Sequence, residues 1–300
     1  MPGRGQTTEA DRQLIGEVRT VTGRALTASQ LKRWRAAGLL PSPKRLAAGR
    51  GAGRRSTHYP EGTAALAVAV AEVVIDRRTP LRHAAAAVFR RGFDLSEQTV
   101  KAAYTAILDD FEAPVRNAAG NRADAADNLG LQMVRRAKRS TLGQTYIARG
   151  GTYGARRNSQ LADALTAGTA GLFAGTPPSE EAAESIKMIY GAPQLEPQDI
   201  AHTLNVGNTT NLQNTLHKST VASLSQAREV LNETMALFGR VHEAQTQTGE
   251  MALFPGIGDL TLMGEVERSV AILVIATAID LNPAYMESHN QLVESAQSLP

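Results

Sequence analysis

From Ser96 to the C-terminus, apolar residues recur at steps of three, four and seven and never alternate over the length of a strand. A period near 3.6 buries one face of a helix, whereas a half-buried strand needs a period of two, so this two-thirds of the chain is predicted to be all-α. Val100, Tyr104, Ile107, Leu108 and Phe111 form one stripe, and Leu129, Met133 and Ala137 a second. Leu161, Leu165, Leu172 and Phe173 are consistent with a third. Pro177-Pro178-Ser179-Glu180-Glu181 opens a helix with acids in its first turn, where the backbone N–H groups favour negative charge. Between Asn211 and Gln247, Leu212, Leu216, Leu224, Leu231, Met235, Phe238 and Val241 read as one long helix or two stacked ones. Gly249–Gly258 reads as a loop, Leu262–Ile279 as a largely buried helix, and Pro283 as the start of a last short one.

The N-terminal third is punctuated differently. Residues 1–9 form a polar tail, expected to be disordered. Leu14, Ile15, Val18 and Val21 then mark a short amphipathic helix broken by Gly23. Thr27 suits the N-cap of a helix over Ala28–Ala37, and Gly38 its left-handed end. Leu31 and Trp34 share one face of that helix, while Lys32, Arg33 and Arg35 point elsewhere. Leu39-Leu40-Pro41-Ser42-Pro43 cannot be helical. Lys44-Arg45 and the Gly/Arg run Gly49–Arg55 lead to Tyr59-Pro60. They read as two short polar strands around a Gly-rich tip, a basic wing, or else as a flexible basic loop. Pro60-Glu61 suits the first turn of a third helix carrying Leu66, Val70 and Val73. Thr79-Pro80 starts a fourth, which places Leu81, Ala85, Val88 and Phe89 on one face and closes at Gly92. Helix, short turn and second helix with a basic face is a helix-turn-helix pattern.

Charge divides the chain at the same place. The net charge of +3 hides 17 basic and 6 acidic residues in 1–92 against 15 and 23 in 93–300. Between Val18 and Pro60 there is no acid and there are ten cations. A basic N-terminal part on a mildly acidic remainder is the footprint of a polyanion binder with a separate oligomerisation or regulatory part. A second stretch, Asn128–Ala162, holds Arg135, Arg136, Lys138, Arg139, Arg149, Arg156 and Arg157 and again no acid. It reads equally as a contact to DNA flanks or an acidic partner, or as an exposed connection.

The string Leu31-Lys32-Arg33-Trp34-Arg35-Ala36-Ala37-Gly38-Leu39-Leu40-Pro41 resembles the second helix of MerR-type regulators, and the Arg-rich segment ending at Tyr59 resembles that family's wing and closing aromatic. The following helix pair resembles the family's third and fourth helices, so the likeness covers about residues 10–93. Arg35 stands where the family usually has an acid. The resemblance implies that Thr27, Ser29 and Gln30 lie near the helix start, where base edges are read, and that Lys32, Arg33 and Arg35 face the major groove or its phosphates. It implies that Lys44, Arg45, Arg50, Arg54 and Arg55 contact phosphate or minor groove from the wing, and that Tyr59 donates to a phosphate or packs in the core. Trp34 resembles a core aromatic of the family.

Other chemistry is not encoded. With no Cys there is no disulfide, no thiol catalysis and no Cys-ligated zinc, and the family's thiol and metal sensing cannot carry over. The six His residues show no metal-binding spacing. Gly256-Ile257-Gly258 follows a loop rather than a strand and reads as a turn. Asp109, Asp110 and Glu112 read as a solvated face rather than an acid–base pair. No apolar run reaches membrane-spanning length, and residues 1–13 lack an apolar signal core. Arg outnumbers Lys 26 to 6 beside 48 Ala, the bias of a GC-rich genome.

The expectation is therefore all-α with a small β wing: a tail at 1–9, a winged helix-turn-helix domain at 10–93, and an all-helical domain at 94–300. The expected function is a sequence-specific regulator of transcription that binds double-stranded DNA as a homodimer in the cytoplasm, associated with the nucleoid. It is expected to be no enzyme and to need no cofactor or metal; the effector, small molecule or protein, is not specified. The alternative is an architectural, phage or plasmid accessory protein whose helical part assembles or recruits a partner.

Overall fold

Thr8 opens the first helix of the computed structural model, which describes residues 7–45, 57–117, 121–137, 154–190, 196–248 and 265–297. Its hydroxyl accepts from Asp11 N–H at 3.1 Å while Asp11 accepts from Thr8 N–H, a capping box that satisfies two otherwise orphaned donors. This helix, α1 (Glu9–Thr22), buries Leu14 and Val18 and ends at Gly23. Thr27 and Gln30 repeat the same box at the start of α2 (Ala28–Ala36), which buries Leu31 and Trp34. Burying a side chain such as Leu31 contributes roughly 2 kcal/mol. After α2 the chain turns through Gly38, at φ +72°, and buries Leu39 and Leu40. A Cβ at Gly38 would both strain that left-handed backbone and collide with the Thr99 side chain.

Two two-residue strands follow, β1 (Lys44–Arg45) and β2 (Thr57–His58), paired antiparallel with Lys44 opposite His58. The tip between them, with Arg50, Arg54 and Arg55, lies outside the described residues, as does the Arg45 side chain. Helix α3 (Thr63–Ala71) starts later than Pro60-Glu61 suggested. Gly62 takes φ +79°, and Thr63 N–H bonds Pro60 C=O, so Pro60–Gly62 form a turn instead of the first helical turn. A π-helical segment, Glu72–Asp76, continues α3, and α4 (Ala84–Arg90) buries Ala85, Val88 and Phe89 as expected but starts beyond Thr79-Pro80, with Leu81 half-buried in the turn before it. Val21 departs from its expected stripe and is 70% exposed. The facing positions of α3 are small, and Ala64, Ala65, Val68 and Ala69 leave an open groove there instead of covering it.

The rest of the described chain is helical: α5 (Glu97–Arg116), α6 (Arg122–Ala137), α7 (Gly154–Ala174), α8 (Glu180–Tyr190), α9 (Pro197–Val206), α10 (Thr209–Lys218), α11 (Val221–Thr248), α12 (Glu265–Leu281) and α13 (Tyr285–Gln297). The all-α expectation holds: the described residues form thirteen α-helices and one short strand pair. Asn211–Gln247 is two helices, separated at Ser219-Thr220. No single described helix is long and apolar enough to cross a membrane.

Two compact units emerge, one drawn from Met1–Ile107 with Gly264–Val270, the other from Leu108–Met263 with Ala271–Pro300. In the first, α1 packs on α2, α3 and β2, and α3 packs on α4. Val100, Tyr104 and Ile107 of the first predicted stripe are buried, whereas Phe111 at its end is largely exposed. In the second, α6 and α7 form the closest pair, and Val115, Ala125, Ala126 and Phe173 make one core cluster. Ala164, Ala183, Ile186 and Ile200 make another beneath α8 and α9. Gly130 of α6 sits against Thr166 of α7 so closely that a Cβ would lie 2.7 Å from its Cα, which fixes the spacing of the pair.

Glu112 corrects the expectation of a solvated acidic face. It is buried, and Arg122 donates to it at 2.7 Å and to the Thr209 hydroxyl at 2.7 Å. The same guanidinium donates through Nε to the Phe173 carbonyl. Asp109 and Asp110 remain exposed.

Candidate nucleic-acid interface

The candidate contact residues singled out in the sequence, where their side chains are described, fall into two main groups. Ser29, Lys32 and Arg33 are exposed on α2, and Lys44 is exposed on β1. The apolar positions Leu31 and Trp34 face the core, so helical spacing turns Lys32 and Arg33 toward solvent. Among the described residues neither has an ion-pair partner. Thr27 and Gln30 are spent on the helix start: Thr27 Oγ1 accepts from Gln30 N–H at 3.2 Å, and Gln30 Oε1 accepts from Thr27 N–H at 2.8 Å. That reciprocal cap holds the first turn of α2 in place and leaves Ser29 at its outer edge.

Arg35 and Tyr59 form the second group. Arg35 Nη1 lies 2.5 Å from Asp11 Oδ1, and the Tyr59 hydroxyl donates to the same oxygen at 2.7 Å. Arg35 also donates to the Tyr59 oxygen. Their polar ends thus meet Asp11, tying α1, α2 and the end of β2 together at the base of the exposed face. Asp11 is itself buried, and a buried carboxylate needs a cation and donors to remain ionised. Burial alone would raise its pKa; hydrogen bonds from Tyr59, Arg35 and Thr8 outweigh that and hold the carboxyl below its ordinary value. Burial, reinforced by the Asp11 charge, pushes the Tyr59 phenol up to about 12.

A phenol that keeps its proton more tightly when folded stabilises the fold fully below pH about 10, and that contribution is lost as pH rises toward about 12. The wild-type chain should therefore lose stability steeply between those values in denaturant titrations, and Tyr59→Phe should flatten that part of the profile. A profile unchanged by Tyr59→Phe would place the alkaline loss elsewhere.

Asp11 was not singled out in the sequence, although two local signs exist: the Thr8-x-x-Asp11 capping spacing, and its being one of six acids in 1–92. Two others of those six also meet arginines, Glu72 with Arg91 and Asp76 with Arg24, each at 2.5 Å. These three acids thus pair with arginines other than Arg33. No cluster of three or more His, Asp or Glu residues able to hold a metal occurs among the described residues. No family model, no curated protein and no solved structure matches the chain.

Proposed function

We propose that the chain is a sequence-specific, double-stranded-DNA-binding regulator of transcription, with a MerR-like winged helix-turn-helix as its reading head. The observation that carries this reading is the outer face of α2. Ser29, Lys32 and Arg33 stand exposed on a doubly anchored helix, inside a segment from Val18 to Pro60 that holds no acid. A helix of this kind presents base-reading groups at its N-terminal turn and phosphate-binding cations along its flank. Ser29 serves the first role, Lys32 and Arg33 the second. Lys44 and Arg45, with Arg50, Arg54 and Arg55 beyond them in sequence, supply the wing contacts. Arg35 and Tyr59 act as the brace that orients α2. The protein works as a cytoplasmic homodimer on a pseudo-palindrome, because one such head reads only a short half-site. Light scattering on the full chain reads the oligomeric state, and a monomer at micromolar concentration would sink that part.

The test is a gel shift against the promoter of the chain's own gene and against random duplex, repeated over a salt series. Preference for the promoter is expected, with Lys32→Ala and Arg33→Ala each making the negative slope of log K against log salt shallower by about 0.9. Equal affinity for both duplexes would overturn the regulator reading and favour an architectural protein. Absence of salt-dependent binding would overturn DNA binding itself.

A further inference from the structure

The α6–α7 pair carries a second concentration of basic residues in the otherwise acidic 93–300. The two helices run antiparallel: Arg122, in the first turn of α6, donates to the carbonyl of Phe173 near the end of α7, and Gly130 lies against Thr166. That register brings the last turn of α6, with Arg135 and Arg136, to the same end of the helix pair as the first turn of α7, with Arg156 and Arg157.

Three features set this end apart. No acid occurs from Asn128 to Ala162, although elsewhere in 93–300 eight basic residues face 23 acidic ones. Arg135 and Arg136 suit the negative C-terminal end of α6, but Arg156 and Arg157 occupy the first turn of α7, at its positive end, with no acid in that turn. Like charges from two helices are also gathered at one end of the pair, a second unfavourable term. A polyanion bound there would offset both terms.

We propose that this end of the helix pair is a second phosphate-binding site, at which Arg135, Arg136, Arg156 and Arg157 contact the sugar–phosphate backbone of duplex DNA without regard to base sequence. The proposal rests on the DNA-binding reading for the choice of polyanion. Guanidinium groups match pairs of phosphate oxygens, so four of them add affinity and salt dependence but no base preference.

The experiment is fluorescence anisotropy of the full chain on a random-sequence duplex several helical turns long, over a salt series. The variants are the fourfold Arg→Gln change at 135, 136, 156 and 157, the fourfold Arg→Lys change, Arg156→Glu alone, and Lys32→Ala with Arg33→Ala. The Gln variant should lose about 0.9 of log–log slope per contact, roughly 3 to 4 in all, and the Lys variant should keep the wild-type slope. Arg156→Glu should weaken binding while leaving the melting temperature unchanged or raised, because an acid suits the first turn of α7. A structural role for Arg156 predicts a lowered melting temperature instead. If the fourfold Gln variant loses helix, Arg156→Gln and Arg157→Gln decide singly: about 0.9 of slope lost in each supports the site, and an unchanged slope overturns it. A wild-type slope in the Gln variant, alongside a reduced slope in the α2 variant, overturns this site and leaves the DNA-binding reading standing. No salt-dependent binding by the wild type overturns both.

Discussion

Asp11→Ala should cost the N-terminal unit about 3 kcal/mol of stability, because it leaves the largely buried Arg35 guanidinium with no counter-charge. It also removes half of the capping box that starts α1. Trp34 is the only tryptophan and is 2% exposed, so its emission reports unfolding of this unit specifically. The denaturation midpoint read from Trp34 should fall accordingly. The double change Asp11→Leu with Arg35→Met should recover most of the loss, since removing both members of a buried pair leaves no stranded charge. On the proposed DNA-binding reading, affinity in Asp11→Ala should fall as well, through the orientation of α2 and not through any lost phosphate contact, so its salt slope should stay near that of the wild type. Asp11 keeps its carboxyl below the ordinary value when folded, so its contribution is present at neutral pH and is lost as pH falls through the acid range. A Trp34 midpoint for Asp11→Ala within about 0.5 kcal/mol of wild type would show that the three residues do not act as a brace.

Arg122→Ala is the corresponding break in the helical unit. It strands the Glu112 carboxylate and withdraws donors from Thr209 and from the Phe173 carbonyl, so one side chain links α5, α6, α7 and α10. The Arg122 side chain is 47% exposed, so water recovers part of the loss, and the expected cost is about 2 kcal/mol instead of the larger figure for a fully buried pair. Burial alone would raise the Glu112 pKa. The Thr209 hydroxyl and Arg122 outweigh it and hold the carboxyl below its ordinary value, so the stabilisation is present at neutral pH and disappears on acidification. Hydrogen exchange at the amides of α6 and α7 should accelerate in Arg122→Ala, most strongly at neutral pH and less so in acid. Exchange rates equal to the wild type at pH 7 would mean that the hydrophobic cluster around Val115 and Phe173 holds these helices unaided.

Much of the architecture is determined by the sequence alone because its causes are local. Thr27 and Gln30 cap α2, Gly23 and Gly38 end helices with positive φ, and the Ser179 hydroxyl accepts from Ala182 N–H at the start of α8. Each signal acts within four residues, so one sequence suffices to read it. The exposed cations of α2 are legible for the same reason: once Leu31 and Trp34 are assigned to the core, helical spacing leaves Lys32 and Arg33 outside. Tertiary structure decided the rest, where partners lie far apart in the chain. Asp11 meets Arg35 across 24 positions and Tyr59 across 48, and Arg122 meets Thr209 across 87. No periodicity pairs such residues. Only packing that removes a carboxylate from water selects which arginine must follow it, and so decides which cations are spent inside the fold and which remain for a ligand.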